Sequence, residues 1–560
     1  MHSYRGSALI PMHATIIRSI VLLTLSTAFL WQGALAQNAD TYSERVSYDL
    51  QLLRVISGEA PMGAAAVWPQ SVYAMTDQAT DTANAFSRYV ADYYGSTLLS
   101  PTAPITDRFR ALVVNDSLVR LQGDVSLMVR PGLYSGDSAQ GAFLLARPSI
   151  RVLGSMSDHL GFFLDISNGV RLSGNARWIA ATDPSLQRTL KFTMEDSSFF
   201  DRYTGYVQYQ TDWLRIRFGR EPIQFGFSPI DNFVHSLDAP LLDGLLIDLP
   251  YKSFRFTMTH SAANGVDPDG RVVPMKFVAS HRLAFDPVPW LSVALSDMIV
   301  YANRGVDFSY LNPLAFFVSA GLGTQDRSEN DNSLLGLDLA IRPWKGAMLY
   351  GSLIADDINY STLGDTSYLG NTNKYAYQLG LSHVLPGADY GTGSATMATL
   401  EYARIDPFTF SHRRNWANYT TLGAPIGYNM QSNSDRLALQ LKHWFTPRTF
   451  VRLDLDYTRH GENLLDSAGN ILMGDNPRFP GAQAPIGNVG GDILRGDGDD
   501  LVGNRFLRGN VSYQRRVQLW FSAEWWPNVF TDLRVGYTNR NGGNTPGDFL
   551  FTQLELRFGY

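Results

Sequence analysis

The sequence predicts an all-β fold, a transmembrane antiparallel β-barrel of about 18 strands with a small N-terminal α-helical plug in the periplasm. The first observation is an alternation of apolar and polar residues, which runs from residue 118 to the C-terminal TQLELRFGY. A period of two is typical of strands with one apolar and one polar face. The second observation is the rhythm of the connections. Short turns alternate with long polar stretches, as they do in outer-membrane barrels.

The N-terminus has the features of an export signal. Arg18 precedes an apolar run from Ile20 to Leu30, and the small-residue segment Ala34-Leu35-Ala36 follows. This order is typical of a secretory signal and its cleavage site, so residues 1–36 are predicted to be a signal peptide. The apolar run is too short for a lasting membrane helix.

The composition limits the kinds of partner and site. The chain has no cysteine, which excludes a lipoprotein anchor, disulfides and thiolate metal sites. Its formal net charge of -6 argues against a nucleic-acid partner, which requires a basic surface. The motifs G-x-S-x-G, H-E-x-x-H and G-x-x-x-x-G-K-[ST] do not occur. We therefore expect no enzymatic activity, no cofactor and no metal.

Residues 37–117 differ in pattern from the rest of the chain. SERVSYDLQLLRVI and TDQATDTANAFSRYVADYY both place apolar residues at helical spacing. The proline-containing stretch SPTAPITDRF then leads into the region of period two. These features predict a periplasmic helical plug in residues 37–117 and an outer-membrane barrel in residues 118–560.

The connections within residues 118–560 set the number of strands. Counting eight short turns and nine long outer loops predicts 18 strands, with both chain ends on the short-turn side. The short turns are centred near Ser155, Thr211, Pro250, Asp286, Pro343, Pro386, Thr446 and Pro527. A sheet in hydrocarbon must close on itself, so we expect the last strand to pair with the first, near Leu118.

Aromatic residues beside the short turns indicate contact with outer-membrane lipid. Aromatic girdles mark the interfaces of membrane barrels. Five tryptophans are candidates for the periplasmic girdle: Trp213, Trp290, Trp344, Trp444 and Trp526. The C-terminal Tyr560 is also similar to the terminal aromatic by which the barrel assembly machinery recognises its clients.

The polar face of the strands carries both signs of charge, as in the alternating arginines and acids of FVRLDLDY. A selective pore would carry an excess of one sign. The pattern therefore favours a plugged or very narrow lumen that ion pairs cross-link. Two alternatives stay open: a porin for sugars or other small solutes, and a hydrolase with a Ser–His pair from separate strands, for instance at His260 or His443.

Two outer loops carry the side chains that an acidic polysaccharide requires, in Gly219–Gly244 and Phe408–Asp435. Aromatic rings stack on sugars, amides bond hydroxyl groups, and arginines pair with uronate or phosphate groups. The candidate polysaccharide-binding residues are His412, Arg413, Arg414, Trp416, Asn418, Tyr419, Arg220 and His235. The alternative is that these loops fold inward and fill the barrel.

The same two loops resemble those of the capsule assembly Wzi family. The resemblance rests on Gly219-Arg220, Phe225-Gly226-Phe227-Ser228-Pro229, His235-Ser236, Asn418-Tyr419, Gly423, Ile426-Gly427, Asn433-Ser434-Asp435 and, more weakly, Asn312-Pro313. Phe225 stands where the family usually has tryptophan. The resemblance implies a non-enzymatic, lectin-like protein of the outer membrane that retains capsular or other extracellular polysaccharide at the cell surface.

Overall fold

The described part of the chain lies almost entirely within the predicted barrel. The computed structural model describes residues 44–58, 67–68, 85–88, 111–116, 118–137, 139–156, 159–183, 185–186, 189, 197–267, 270–315, 317, 330–357, 373–477, 479–496, 505–526 and 528–559. The predicted signal peptide, residues 1–36, lies outside these ranges, as does most of the predicted helical plug, residues 37–117.

Eighteen antiparallel strands close into a barrel. They are β1 Val119–Gly136, β2 Ala139–Met156, β3 Leu160–Ser173, β4 Phe199–Gln210, β5 Arg215–Glu221, β6 Leu242–Tyr251, β7 Phe254–Val266, β8 Val272–Val288, β9 Leu291–Tyr301, β10 Asn332–Ile341, β11 Ala347–Asp357, β12 Lys374–Val384, β13 Ala395–Ile405, β14 Ser434–Thr446, β15 Thr449–Glu462, β16 Asn510–Trp526, β17 Val529–Gly542 and β18 Gly547–Gly559. Each strand pairs with the next, and β18 closes the ring on β1, with Leu556 opposite Val129. The predicted strand number and closure are confirmed. A short strand, Leu112–Asn115, also pairs with the start of β1.

The connections agree with the prediction at one end of the barrel and differ in part at the other. All eight predicted short turns join consecutive strands. Of the nine other connections, three are short, because two residues separate β1 from β2, five separate β7 from β8 and four separate β17 from β18. The prediction that all nine are long was therefore wrong. The reason is strand length. β1 and β2 have 18 residues each and β8 has 17, so polar sequence that was assigned to loops is paired in extended strands.

The two faces of the wall have the predicted chemistry. In the C-terminal TQLELRFGY, Gln553 and Glu555 are buried on the inside, whereas Phe558 is exposed on the outside. On β16, Leu519 faces outward and is 44% exposed, between Leu453 and Val535 of the neighbouring strands. An apolar outer band and a polar interior are what a membrane barrel requires.

Four of the five predicted girdle tryptophans are exposed beside the short turns. Trp213, Trp290, Trp344 and Trp526 have exposures between 50% and 62%. Trp444 is only 1% exposed, so its assignment to the girdle was wrong. Its position in the alternation points it inward, where its indole Nε1 donates to Asp49 Oδ2 at 3.0 Å.

Asp49 belongs to helix α1, Glu44–Ser57, which packs against the inner wall near the short turns. Its Oδ2 lies 2.6 Å from Lys442 Nζ, and Gly346 N donates to Ile56 O at 3.0 Å. Leu52 and Val55 are buried in the same contact. Among the described residues, no helix is long and apolar enough to cross a membrane. That residues 37–117 as a whole form a plug remains a prediction.

Candidate functional site

Two of the long connections fold into the barrel. We call residues 222–241, between β5 and β6, the first inner loop, and residues 406–433, between β13 and β14, the second inner loop. Phe225, Phe233 and Tyr428 of these loops are buried in one apolar cluster with inward residues of β6 to β13. The inner loops therefore fill the side of the lumen that those strands enclose.

The two inner loops also bond to each other. Ser236 N donates to Ile426 O at 3.1 Å, Asn429 N donates to Asp231 Oδ2 at 2.7 Å, and the Tyr419 hydroxyl donates to Val234 O. Buried backbone groups of irregular segments need such partners, because unpaired polar groups are costly away from water. The loops thus form one unit.

Glu401 on β13 attaches this unit to the wall. Its buried carboxylate accepts hydrogen bonds from the hydroxyls of Tyr350 at 2.8 Å and Tyr428 at 2.8 Å, and also from Ser228. The sequence analysis gave Glu401 no role. Its partners come from β11 and from both inner loops, and no local pattern indicates them.

Replacing Gly427 with alanine is expected to push the inner loops apart. A Cβ at this position would overlap the carbonyl oxygen of Phe233, and overpacking of this kind costs about 1–3 kcal/mol. We expect the purified variant to show a higher single-channel conductance in planar bilayers than the wild type. Gly305→Ala is the control, because a Cβ there meets nothing within 4 Å. Equal conductance of all three proteins would mean that the loops do not limit passage.

The outermost part of the second inner loop is exposed. We call residues 412–416 the rim segment. His412 N donates to Asn418 Oδ1 at 2.8 Å, and Arg414 N donates to His412 Nδ1 at 3.1 Å. The Arg414 guanidinium lies 5.7 Å from the centre of the Trp416 ring. Gly496 N, from the loop after β15, donates to Asn415 Oδ1 at 3.3 Å. The rim segment is therefore held in one shape by hydrogen bonds along its length.

The eight predicted binding residues fall into three groups. Arg413 and Arg414 are exposed, and His412 and Trp416 are half-buried, all four within the rim segment. Buried beneath it or deeper in the lumen are Asn418, Tyr419 and His235. Arg220 lies apart, at the end of β5, where it pairs with Asp243 and stacks 4.1 Å from the Tyr203 ring centre.

The buried His235 has the environment of a structural histidine. Its Nε2 lies 3.0 Å from Ser280 Oγ, and the Phe225 ring packs edge-on against it at 5.0 Å. Burial lowers the pKa of His235 to about 3, so the ring is neutral at physiological pH and a poor base. Since Ser280 is also fully buried, this contact is closed to a polymer.

The two histidines that sequence reasoning offered for a hydrolase have other partners. His260 Nε2 lies 2.8 Å from the Tyr301 hydroxyl, and His443 Nδ1 lies 2.8 Å from Thr396 Oγ1. In these hydrogen bonds neither histidine contacts a serine hydroxyl.

Ion pairs cross-link the inner wall, as the mixed charges predict. Arg282 of β8 pairs with Asp338 of β10, and Arg215 of β5 lies 2.9 Å from Asp248 of β6. The other side of the lumen, between β14–β18 and β1–β4, contains a polar cavity of about 920 Å³. The lumen is thus filled on one side and open on the other.

Comparison with known proteins identifies the fold. The structure is similar to Wzi of Escherichia coli, described as an outer-membrane, carbohydrate-binding β-barrel involved in group 1 capsule assembly. The TM-score is 0.54 and the identity 12%, over 93% of this chain and 99% of Wzi. OccAB4 of Acinetobacter baumannii is also similar, with TM-score 0.42 and 8% identity over 78% of this chain and 98% of that chain. A BenF-like porin from Pseudomonas fluorescens Pf-5 has TM-score 0.42 and 9% identity over 79% and 98%. No protein-family model matches the sequence, and no curated protein sequence matches it.

The likeness to Wzi agrees with the strand pairings. Wzi and this chain share the closed antiparallel barrel over nearly the whole of both chains. At 12% identity the likeness concerns the fold. This protein is an 18-stranded β-barrel of the outer membrane.

Proposed function

We propose that the protein retains capsular or other extracellular polysaccharide at the cell surface, and that the rim segment is its main contact. The observation that carries this proposal is the exposure of Arg413 and Arg414 beside Trp416. Guanidinium groups form paired hydrogen bonds with carboxylates and phosphates, and an indole face can stack on a sugar ring. These are the chemical groups of an acidic polysaccharide.

The fixed shape of the rim segment supports the proposal. Its bonds to Asn418 and Gly496 hold the backbone before a ligand arrives. A preformed surface loses less conformational entropy on binding than a mobile one. In this proposal Asn418, Tyr419 and His235 position the inner loops, and the rim residues touch the sugar. Arg220, which is paired with Asp243, is a secondary contact.

Weak contacts suffice for retention because the ligand is a repeating polymer. One chain can contact many copies of the protein in the same membrane, and linked contacts raise the apparent affinity without any new interaction. The likeness to Wzi adds support, because that protein is described as a carbohydrate-binding barrel. No enzymatic step is part of the proposal.

The test is the partition of extracellular polysaccharide between cells and medium. The double variant Arg413→Ser/Arg414→Ser is expected to release polymer from the cells at unchanged total, nearly as a strain without the gene does. Each charge-assisted hydrogen bond lost contributes about 1.5–3 kcal/mol. Arg271→Ser is the matched control, an exposed arginine on another outer hairpin. If the double variant retains as much polymer as Arg271→Ser, the rim segment is not the contact.

A porin for small solutes is the second candidate, and the cavity of about 920 Å³ favours it. A substantial single-channel conductance of the wild-type barrel would support passage of solutes. That result would leave the retention experiment to decide the role of the rim segment, since the two sites lie in different parts of the molecule.

A further inference from the structure

The open side of the lumen has a wall that is rich in arginine. Its cavity of about 920 Å³ is lined by inward side chains of β14–β18 and β1–β4, together with α1 and the first inner loop. Pockets of this size commonly hold a small organic molecule. The lining residues indicate which chemical class of ligand the cavity binds.

Most lining carboxylates are already engaged. The ion pairs at the cavity join Arg151 to Asp165, Arg130 to Asp183 and Glu555, Arg452 to Asp454, Arg436 and Arg516 to Asp456, and Lys442 to Asp49. Six cations and six carboxylates take part in these pairs, so their charges cancel in total. They contribute little attraction for a further anion.

Arg147 on β2 and Arg202 on β4 are different. Both line the cavity, and no carboxylate of the described ranges lies within ion-pair distance of either guanidinium. Ser149, two residues from Arg147, is opposite Ser167, which in turn is opposite Arg202. Strands lie about 4.8 Å apart, so Arg202 is about 10 Å from Ser149 along the wall. The long side chains of the two arginines can therefore reach one ligand.

A third arginine lies on the same part of the wall. Met128 of β1 is opposite Arg147 on one side and opposite Arg557 of β18 on the other. These two arginines therefore flank a single strand at the same level. Positive charges so placed repel one another in a lumen of reduced dielectric constant, and a bound anion removes that repulsion.

Two acidic residues of the first inner loop also line the cavity, Asp231 and Asp238. Burial, and then the nearby Asp238, raise the pKa of Asp231 to about 7. Asp231 is therefore partly neutral at neutral pH, which weakens its repulsion of an anion. A ligand with both hydroxyl and acidic groups can bond this loop and the arginines together.

We propose that the open half of the lumen is a binding site for a small organic anion, a sugar acid or a phosphate-bearing solute, with Arg147 and Arg202 as its cationic contacts. The site is separate from the rim segment and does not depend on the polysaccharide proposal. The neutral hydroxyl groups of the cavity wall, such as Ser149 and Thr204, complete a lining suited to a polyhydroxy anion.

Isothermal titration calorimetry of the purified full-length barrel in detergent tests this site. Glucuronate is expected to bind, and neutral glucose at least about tenfold more weakly, because hydrogen bonds between charged groups are the stronger ones. Inorganic phosphate distinguishes the two ligand classes, since a site for phosphate solutes binds it and a site for sugar acids does not. Raising the salt concentration is expected to weaken glucuronate binding.

Two variants locate the site. Arg147→Gln and Arg202→Gln are each expected to weaken glucuronate binding about tenfold. Arg147→Lys, which keeps the charge, is expected to retain most of the affinity, which would attribute the loss in Arg147→Gln to the missing charge. Arg515→Gln is the matched control, because Arg515 is exposed on the outer face of β16. Equal affinity for glucuronate and glucose, or unchanged binding in both glutamine variants, overturns the proposal.

Discussion

Replacing Asp338 with alanine is expected to lower the free energy of unfolding of the barrel by about 3–5 kcal/mol, because it leaves a buried charge without its partner. Asp338 of β10 pairs with Arg282 of β8, and their side chains are 1% and 0% exposed. Asp338 also accepts from the Ser352 hydroxyl. After the substitution, Arg282 keeps one neutral acceptor, the Ser296 hydroxyl, 3.0 Å from its Nη1.

Two comparisons make the Asp338 experiment specific. The double variant Arg282→Met/Asp338→Leu removes both charges and is expected to recover most of the loss. Asp454→Ala, which breaks the pair with Arg452 at 2.9 Å, should cost less, because the Arg452 side chain is 26% exposed and keeps contact with water. Equilibrium unfolding in denaturant, with the barrel refolded into lipid vesicles, gives all three values. A loss for Asp338→Ala no larger than that for Asp454→Ala would refute the argument.

Replacing Leu519 with arginine is expected to cost about 2–4 kcal/mol, because it places a charge against lipid near the middle of the membrane. Leu519 lies near the centre of β16, is 44% exposed on the outer face, and has Leu453 and Val535 on either side. All three side chains belong to the apolar band. Denaturant unfolding in lipid vesicles measures the loss.

The neighbouring residue provides the control for the Leu519 experiment. Gln518→Arg places the same charge one position away, on the lumen face, where Gln518 lines the cavity opposite Asp454. The cavity beside Gln518 has a volume of about 920 Å³ and leaves room for the larger side chain. We expect little loss of stability. Similar losses for the two variants would mean that the assignment of faces on β16 is wrong.

The wall of the barrel could be predicted from the sequence because it depends on short-range patterns. Successive residues of a strand face lipid and lumen in turn, so the sequence alone places Leu519 on the outer face and Gln518 on the inner face. The eight short turns could be predicted because proline, glycine and aspartate interrupt the alternation of apolar and polar residues at these places. The closure of β18 on β1 follows from the same logic, since a sheet in lipid leaves no free edge.

Contacts between distant segments are what the sequence pattern did not provide. Trp444 lies beside a short turn like the other girdle tryptophans, but its place in the alternation of β14 points it inward, where α1 provides the acceptor Asp49 for its indole. Tyr419 and His235 have the side chains of a sugar site, yet they bond the inner loops to each other and to the wall. Local sequence does not tell whether a polar, aromatic loop turns outward or inward.

By itself the sequence determined an 18-stranded antiparallel barrel and the lipid and lumen faces of its strands. Export of the chain and a glycan surface on its loops stay predictions. Only the tertiary structure decided that the inner loops fill one side of the lumen, and which arginines have a carboxylate partner. Arg130 and Glu555, for example, pair across 425 residues of chain. Periodicity acts over a few residues, whereas charge pairing in the lumen depends on which strands the closed ring brings together.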